Sequence, residues 1–303
     1  MSRATTRLNE SGTVLRVLLA LVRTMRPRQW TKNVLVFAGL VFDGQLLALD
    51  SLLRVSLAFV LLCLSAGAIY IVNDLADIEK DRQHPRKKNR PLASGQLPLP
   101  VAVGAAVLLP ILSLGVALLY SPPLALVLLG YMALHIAYSF WLKHMVIIDV
   151  FAIAAGFMLR VIAGVVVIQV ARFSPWLYVC TAFLALFLAV GKRRQELLLL
   201  NENAQNVRAT YRLYSLPLLD DMLRLVTTGS VLAYTLYTFA AHPERPTMLL
   251  TIPFVLYGIM RYLYLIHVEG KGSAPDEVLL DDAPLLGAIV LWGLAVLAVL
   301  YLG

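Results

Sequence analysis

Apolar stretches of about 20 residues recur along the chain, separated by short polar or basic connections. Lipid admits only structures that satisfy their own backbone hydrogen bonds, which means helices or closed barrels. No stretch alternates apolar and polar positions as a barrel strand does. The pattern predicts an all-α polytopic membrane protein of about nine transmembrane helices. They fall at roughly 34–50, 52–73, 98–120, 122–141, 146–168, 174–191, 222–242, 247–267 and 283–302. The first is short and contains Asp43. Residues 1–33 are expected to form an N-terminal cytoplasmic or interfacial segment, and 34–303 the nine-helix transmembrane domain. Within the former, VLRVLLALV (14–22) is too short and too charged to span, and no small-residue cleavage site follows it. It is expected to lie along the interface with its basic residues toward headgroups.

Composition agrees. Of 303 residues, 60% are hydrophobic and 15% charged, against about 25% charged in a soluble domain. The net charge is +8, but its placement says more than its size. With the N-terminus inside, 22 of the 26 Lys and Arg fall on the cytoplasmic side. Only Arg54, Arg172 and Arg245 fall opposite, and Arg160 lies within a span. This asymmetry implies an odd span count with the C-terminus outside. The charge is therefore a topology signal, and no nucleic-acid partner is expected. The two cysteines, Cys63 and Cys180, both sit in predicted spans and read as small packing residues.

Polar residues beside spans are costly and usually functional. Here they gather at cytoplasmic span ends: RPRQWTKN (26–33), the long segment 73–95, YSFWLKH (138–144), GKRRQE (191–196) and GSAPDEVLLDD (272–282). Together they imply one polar pocket open to the cytoplasm.

The segment 73–95 carries the most chemistry. Asn73, Asp77 and Asp81 recur every four residues, which places them on one helical face, and Asp74 lies close to it. Carboxylates this close repel unless a cation sits between them. Hard oxygen donors suit Mg²⁺, which takes one or two carboxylates together with substrate phosphate oxygens. The run that follows, Arg82, Arg86, Lys87, Lys88 and Arg90, can be a positive-inside loop. It also offers what a diphosphate leaving group needs, cations beside a metal. His84 has no ligand partner in sequence and reads as a loop hydrogen bonder, not a zinc ligand. Trp30, Trp141, Trp176 and Trp292 lie near span ends, as interface anchors do.

The pattern N-D-x-x-D-x-x-x-D followed by R-P-x-A-S-G resembles the first Asp-rich motif of the UbiA superfamily of intramembrane prenyltransferases. The resemblance covers most of the chain. It departs at the second motif, where aromatic prenyltransferases carry D-x-x-x-D and this chain reads GKRRQE, with Glu196 its only acid. That variant, with RPRQWTKN, HPRKKNRPLASG, YSFWLKH followed by Asp149, GFMLRVIAG and RY…GSAPDEVLLDD, is similar to the decaprenyl-phosphate phosphoribosyltransferase branch. The resemblance implies a cytoplasm-facing enzyme of the cell membrane that needs Mg²⁺. Its donor would be phosphoribosyl diphosphate and its acceptor a polyprenyl phosphate, and its products would feed pentose donors for cell-wall or related glycans.

On this reading Asn73, Asp74, Asp77 and Asp81 hold the metal, and Asp77, Asp81 and Glu196 carry the chemistry. Lys192 and Arg193 face phosphate, as do Arg82, Lys88 and Arg90 from the loop. Lys32, Tyr138, Lys143 and Arg160 are further substrate contacts, with Arg160 either binding an anion or pairing with an acid such as Asp149 through another segment. The acidic group Asp276, Glu277, Asp281 and Asp282 either covers the pocket or is solvated. Prenyl transfer to an aromatic or lipid acceptor and non-catalytic transport are the alternative functions. Isoprenoid length and whether the chain forms a homo-oligomer are left open.

Overall fold

The computed structural model describes residues 14–85, 87–168, 170, 174–200, 213–241, 243–272 and 275–302, and every regular element among them is helical. Helix α1 covers 14–24. A 3-10 helix, Pro27–Phe37, leads into α2, Ala38–Phe42. There follow α3 (Leu49–Ala76), α4 (Ile78–Gln83), α5 (Leu99–Tyr120), α6 (Pro122–Phe140), α7 (Ile148–Val165) and α8 (Pro175–Leu200). Beyond these lie α9 (Leu216–Ala240), α10 (Ile252–His267, preceded by a 3-10 turn over Pro246–Thr251), α11 (Pro275–Asp281) and α12 (Ala283–Tyr301).

Among the described residues, seven segments are long and apolar enough to cross a membrane: α3, α5, α6, α7, α8 to Leu199, Pro246–His267 and α12. Helix α9 is as long but less apolar, since it carries Asp220, Asp221, Arg224 and several hydroxyls. Two of the hydroxyls are satisfied within the helix: Ser230 Oγ donates to Val226 O at 2.7 Å and Thr235 Oγ1 to Val231 O at 2.9 Å. The count of nine helices is not confirmed, and the structure differs from the expectation at the first member. Residues 34–50 are no continuous helix. The chain enters through Arg26 in the left-handed region and then Pro27, winds as a 3-10 helix past the polar Gln29–Asn33 stretch, and stops at Gly44, φ 74°. Only five residues between form α2.

By packing, the chain divides into two compact units: Met1–Leu40 with Ala48–Ser139 and Ile162–Gln169, and Val41–Leu47 with Phe140–Val161 and Val170–Gly303. In the first, α3 is the most enclosed span and packs on α5 and on the 3-10 helix. Ser65 Oγ donates to Ser113 Oγ across α3 and α5 at 3.1 Å, both hydroxyls buried. Asn33, also buried, donates to Cys63 Sγ at 3.3 Å. Gly164 lies so close to the Val36 carbonyl that a Cβ would overlap it, and a small residue is what lets the two backbones meet.

In the second unit α8 packs along α9, over a core of Phe187, Val190, Leu219, Leu223, Tyr262 and Leu265. Trp292 packs into a second cluster with Tyr234, Tyr237 and Phe42 and donates to Tyr234 Oη at 2.7 Å. Large apolar side chains such as Leu108, Leu119, Leu126, Leu291 and Leu294 are exposed along the spans. Patches of that extent are disfavoured in water and expected in lipid.

Candidate active site

In the first unit the Asp-rich segment forms where α3 ends. Asp77 has φ −102° and ψ 8°, which separates α3 from α4. The helical hydrogen bonds nonetheless continue, Asp77 N to Asn73 O at 3.0 Å and Asp81 N to Asp77 O at 2.8 Å, so the three polar residues stay one turn apart. Their surroundings differ sharply. Asp74 and Asp81 are buried, while the Asp77 side chain is 46% exposed.

The buried pair is neutralised by arginine. Arg90 donates to Asp81 Oδ2 at 2.5 Å and to Asp74 Oδ1 at 3.2 Å. Arg26 donates to the same Asp74 oxygen at 2.5 Å and stacks over Tyr70, 4.7 Å from the ring centroid. Arg26 has φ 55°, a conformation uncommon for a residue with a side chain, and it persists where surroundings fix it. Lys87 Nζ lies 3.9 Å from Asp81 and Lys80 Nζ the same distance from Asp77. Among the described residues no cluster of three or more His, Cys, Asp or Glu is arranged to hold a metal.

The other expected residues of this unit are more dispersed. Arg82 pairs with Glu79 at 2.8 Å on the surface. Lys88 is exposed in a 3-10 turn, and Arg86 lies outside the described residues. Lys32 Nζ donates to Gln29 Oε1 at 2.6 Å, and Tyr138 is half-buried near the end of α6. His84 Nδ1 accepts from Lys87 N at 3.3 Å, a local loop contact.

In the second unit GKRRQE lies on α8, and its consecutive residues reach different segments. Arg193, 3% exposed, donates from Nε to Asp149 Oδ2 on α7 at 2.7 Å and from Nη1 to Glu196. Arg194 Nε donates to Asp220 on α9 at 2.6 Å. Gln195 Nε2 donates to the Ile266 carbonyl and, at 3.2 Å, to the Lys271 carbonyl, which ties α8 to the end of α10. Lys192 and Glu196 remain the open members of the motif, their side chains 38% and 24% exposed and 3.9 Å apart. Arg193 is expected to face phosphate; in the structure its guanidinium sits between two carboxylates.

Arg160 is buried on α7, donates to Gly156 O at 2.8 Å and lies over Phe157, 5.2 Å from the ring centroid. It is not the partner of Asp149. Lys143 is half-buried in the short 3-10 turn Leu142–His144. The acidic group before α12 is in part structural. Asp282 accepts from Arg261 Nη2 at 2.8 Å and Nε at 3.1 Å, and caps α12 by accepting from Leu285 N at 2.9 Å. The Arg261 guanidinium holds the Asp282 carboxyl below the usual carboxylate range. The side chains of Asp276 and Glu277 lie outside the described residues.

Residues 34–280 match the UbiA prenyltransferase family. The chain belongs to that family. It is 36% identical over 291 residues to the decaprenyl-phosphate phosphoribosyltransferase of Corynebacterium glutamicum, covering 93% of this chain and 87% of that one. To the protein of the same name from Mycolicibacterium smegmatis it is 34% identical over 301 residues, covering 93% and 92%. Among solved structures, a UbiA homolog from Archaeoglobus fulgidus bound to DMAPP and Mg²⁺ superimposes with a TM-score of 0.68 at 19% identity, over 92% of this chain and 99% of that one. That likeness establishes the UbiA fold.

The contacts of three residues of this UbiA protein escaped the sequence reading. Tyr214 precedes α9 in an ordinary polar-apolar stretch, and only its distant partner Asp149 gives it a role. Arg26 and Gln195 lie inside quoted motifs, but nothing in their spacing reveals a buried carboxylate or a pair of helix-end carbonyls as partner. Asp149 was visible as an acid at a span start, a position that also suits a helix N-terminus.

Proposed function

We propose that this UbiA-family protein transfers the 5-phosphoribosyl group of phosphoribosyl diphosphate to a polyprenyl phosphate, releasing diphosphate. The observation that carries the reading is the 34–36% identity, over 93% of the chain, to proteins named decaprenyl-phosphate phosphoribosyltransferase. The residue chemistry supports it. Both substrates are anionic, and Lys192 is an open cation where prenyltransferases of this family carry acid. The acceptor is a phosphate, already ionised near neutral pH, so no dedicated base is required. Its oxygen forms a bond to ribose C1 as the bond from C1 to diphosphate breaks, and the leaving group departs with that electron pair. Glu196, partly exposed beside Arg193 and Lys192, would stabilise positive charge developing on the sugar.

The first motif fits Mg²⁺ in donor type. Asn73 and Asp77 offer hard oxygens one turn apart, Asp77 is half-exposed with only a distant lysine beside it, and Asp81 follows one turn later. Mg²⁺ bound there would supply charge neutralisation to a diphosphate leaving group. Asp74 is the residue most engaged by arginine, which makes it a support for the site. Lys88, Arg90, Lys32, Tyr138 and Lys143 are proposed as contacts for the substrates' phosphates. Arg82, paired at the surface, is the weakest of these. The polyprenyl tail stays in lipid while its phosphate reaches the polar residues, and the site faces the cytoplasm of the cell membrane. The product, a lipid-linked ribose 5-phosphate, suits a precursor for glycan assembly.

Purified protein incubated with radiolabelled phosphoribosyl diphosphate, polyprenyl phosphate and Mg²⁺ should move label into an organic extract. No labelled lipid, together with prenyl transfer from a prenyl diphosphate to an aromatic acceptor, overturns the reading. A cysteine introduced at Gln83 in intact cells should react with a membrane-permeant reagent and resist an impermeant one. Reaction with the impermeant reagent overturns the orientation.

A further inference from the structure

The second unit contains a buried chain of polar groups to which the chemistry above gives no task. Asp149 is fully buried in the first turn of α7, and Tyr214 is 5% exposed ahead of α9. Tyr214 Oη donates to Asp149 Oδ1 at 2.7 Å, and Arg193 Nε donates to Asp149 Oδ2 at 2.7 Å. Each carboxylate oxygen has its own donor. The phenol oxygen in turn accepts from the Ile147 amide at 2.7 Å. Ile147 has φ 68°, a left-handed conformation that a β-branched residue rarely adopts and that persists only where surroundings fix it. Burial, and then the bond to Asp149, pushes the Tyr214 phenol up, so it stays a neutral donor at physiological pH.

The chain ends in the open. The other face of the Arg193 guanidinium reaches Glu196, which is partly exposed. An exposed Arg–Glu pair three residues apart on a helix holds its partners only loosely. Here Nε is fixed by a buried carboxylate. The guanidinium is planar, so fixing Nε also fixes the direction in which Nη1 points.

We propose that Tyr214 and Asp149 are positioning residues, which act through Arg193 to set the orientation of the Glu196 carboxylate. The proposal rests on the reading of Glu196 as the acid beside the reacting sugar. Displacing a reacting group by about 1 Å can cost about 100-fold in rate, so a support of this kind acts on turnover and leaves substrate affinity nearly untouched.

A double-mutant cycle with Tyr214→Phe and Glu196→Gln tests it. Tyr214→Phe should lower kcat about 10-fold with both KM values within about two-fold of wild type. In the Glu196→Gln background the same change should cost no more than about two-fold, because there is no carboxylate left to orient. An equal loss in both backgrounds, or a change confined to KM, overturns the proposal. Asp149→Asn is run in parallel and decides the matter if Tyr214→Phe fails gel filtration in detergent. Thermal unfolding of the same four proteins gives a readout independent of turnover: non-additive shifts support the chain of contacts, and additive shifts overturn it. A wild-type protein inactive with phosphoribosyl diphosphate overturns the functional reading alone, and the unfolding cycle still decides this one.

Discussion

Arg90 donates to Asp81 at 2.5 Å, and with the same guanidinium nitrogen it reaches Asp74 at 3.2 Å. One cation thus holds together two buried acids seven residues apart, across the break between α3 and α4. Removing one partner of a buried pair leaves an uncompensated charge, at a cost of about 3–5 kcal/mol when no other cation is near. Arg26 remains on Asp74 and Lys87 stands 3.9 Å from Asp81, so Arg90→Ala should cost less, about 1–3 kcal/mol. The expected outcome is a lower unfolding temperature in detergent, partly restored by added Mg²⁺. An unchanged unfolding temperature would show that the bridge contributes nothing to the fold.

Asp77 and Asp74 should separate in opposite senses. Asp77 is half-exposed and paired only with Lys80 at 3.9 Å, whereas Asp74 is buried under two arginines. Asp77→Asn is expected to remove most turnover, about 100-fold or more, with little change in unfolding temperature. Asp74→Asn should lower the unfolding temperature clearly. Chelation should abolish transfer and Mg²⁺ restore it. Wild-type turnover in Asp77→Asn, or full activity after exhaustive chelation, excludes the metal role at this motif.

The second motif gives a contrast between neighbours. Lys192 is open and Arg193 enclosed. A charge-assisted hydrogen bond to phosphate is worth about 1.5–3 kcal/mol, so Lys192→Ala should raise the KM for phosphoribosyl diphosphate about 10- to 100-fold. Arg193→Ala strips Asp149 and Glu196 of a shared cation and should lower stability and kcat, with the donor KM a secondary effect. Measured kcat and KM for both variants, beside their unfolding temperatures, check the assignment. It fails if Arg193→Ala changes only the donor KM.

Much of this was legible in the sequence because membranes impose long apolar periods and because acids beside spans are conspicuous. The segments for α3, α5, α6, α7, α8, α9, α10 and α12 all follow from hydropathy. The first expected span was misread because hydropathy carries no record of Arg26, Pro27 and Gly44 as backbone breaks that leave α2 only five residues. The spacing of Asn73, Asp77 and Asp81 gave their alignment, but not which of them is buried. The partners of Arg193 were not legible for a similar reason. Its partner Asp149 lies 44 residues away, and spacing within GKRRQE cannot distinguish a cation aimed at substrate from one aimed at the core.

The pairing of Arg261 with Asp282 has a pH signature. Asp282 is held below its ordinary value, first by the hydrogen bond from Arg261. A carboxyl whose folded pKa is depressed contributes stability that is present above its unfolded value, about 3.9, and is lost as pH falls through the folded value. The wild-type protein should therefore lose stability below about pH 4 more steeply than Asp282→Asn, which has no such proton to take up. Parallel acid-unfolding curves for the two proteins test the pairing.

Gly272 should be the least replaceable residue of the late loop. Its φ of 139° lies where residues with a Cβ rarely go, and a Cβ there would stand 2.9 Å from Gln195 Cγ and 2.6 Å from Ile266 Cγ2. Gln195 is the side chain that fastens α8 to the Ile266 and Lys271 carbonyls. Gly272→Ala therefore combines backbone strain, about 1–3 kcal/mol, with displacement of that fastening. Because Lys192 and Glu196 flank Gln195 on α8, the disturbance reaches the open residues of the motif. The expected outcome is a lower unfolding temperature together with a loss of kcat. Gln195→Ala should reproduce part of both effects by removing the fastening while sparing the backbone. If Gly272→Ala behaves as wild type in both measurements, the late loop is not locked onto α8 as the hydrogen bonds to Gln195 indicate.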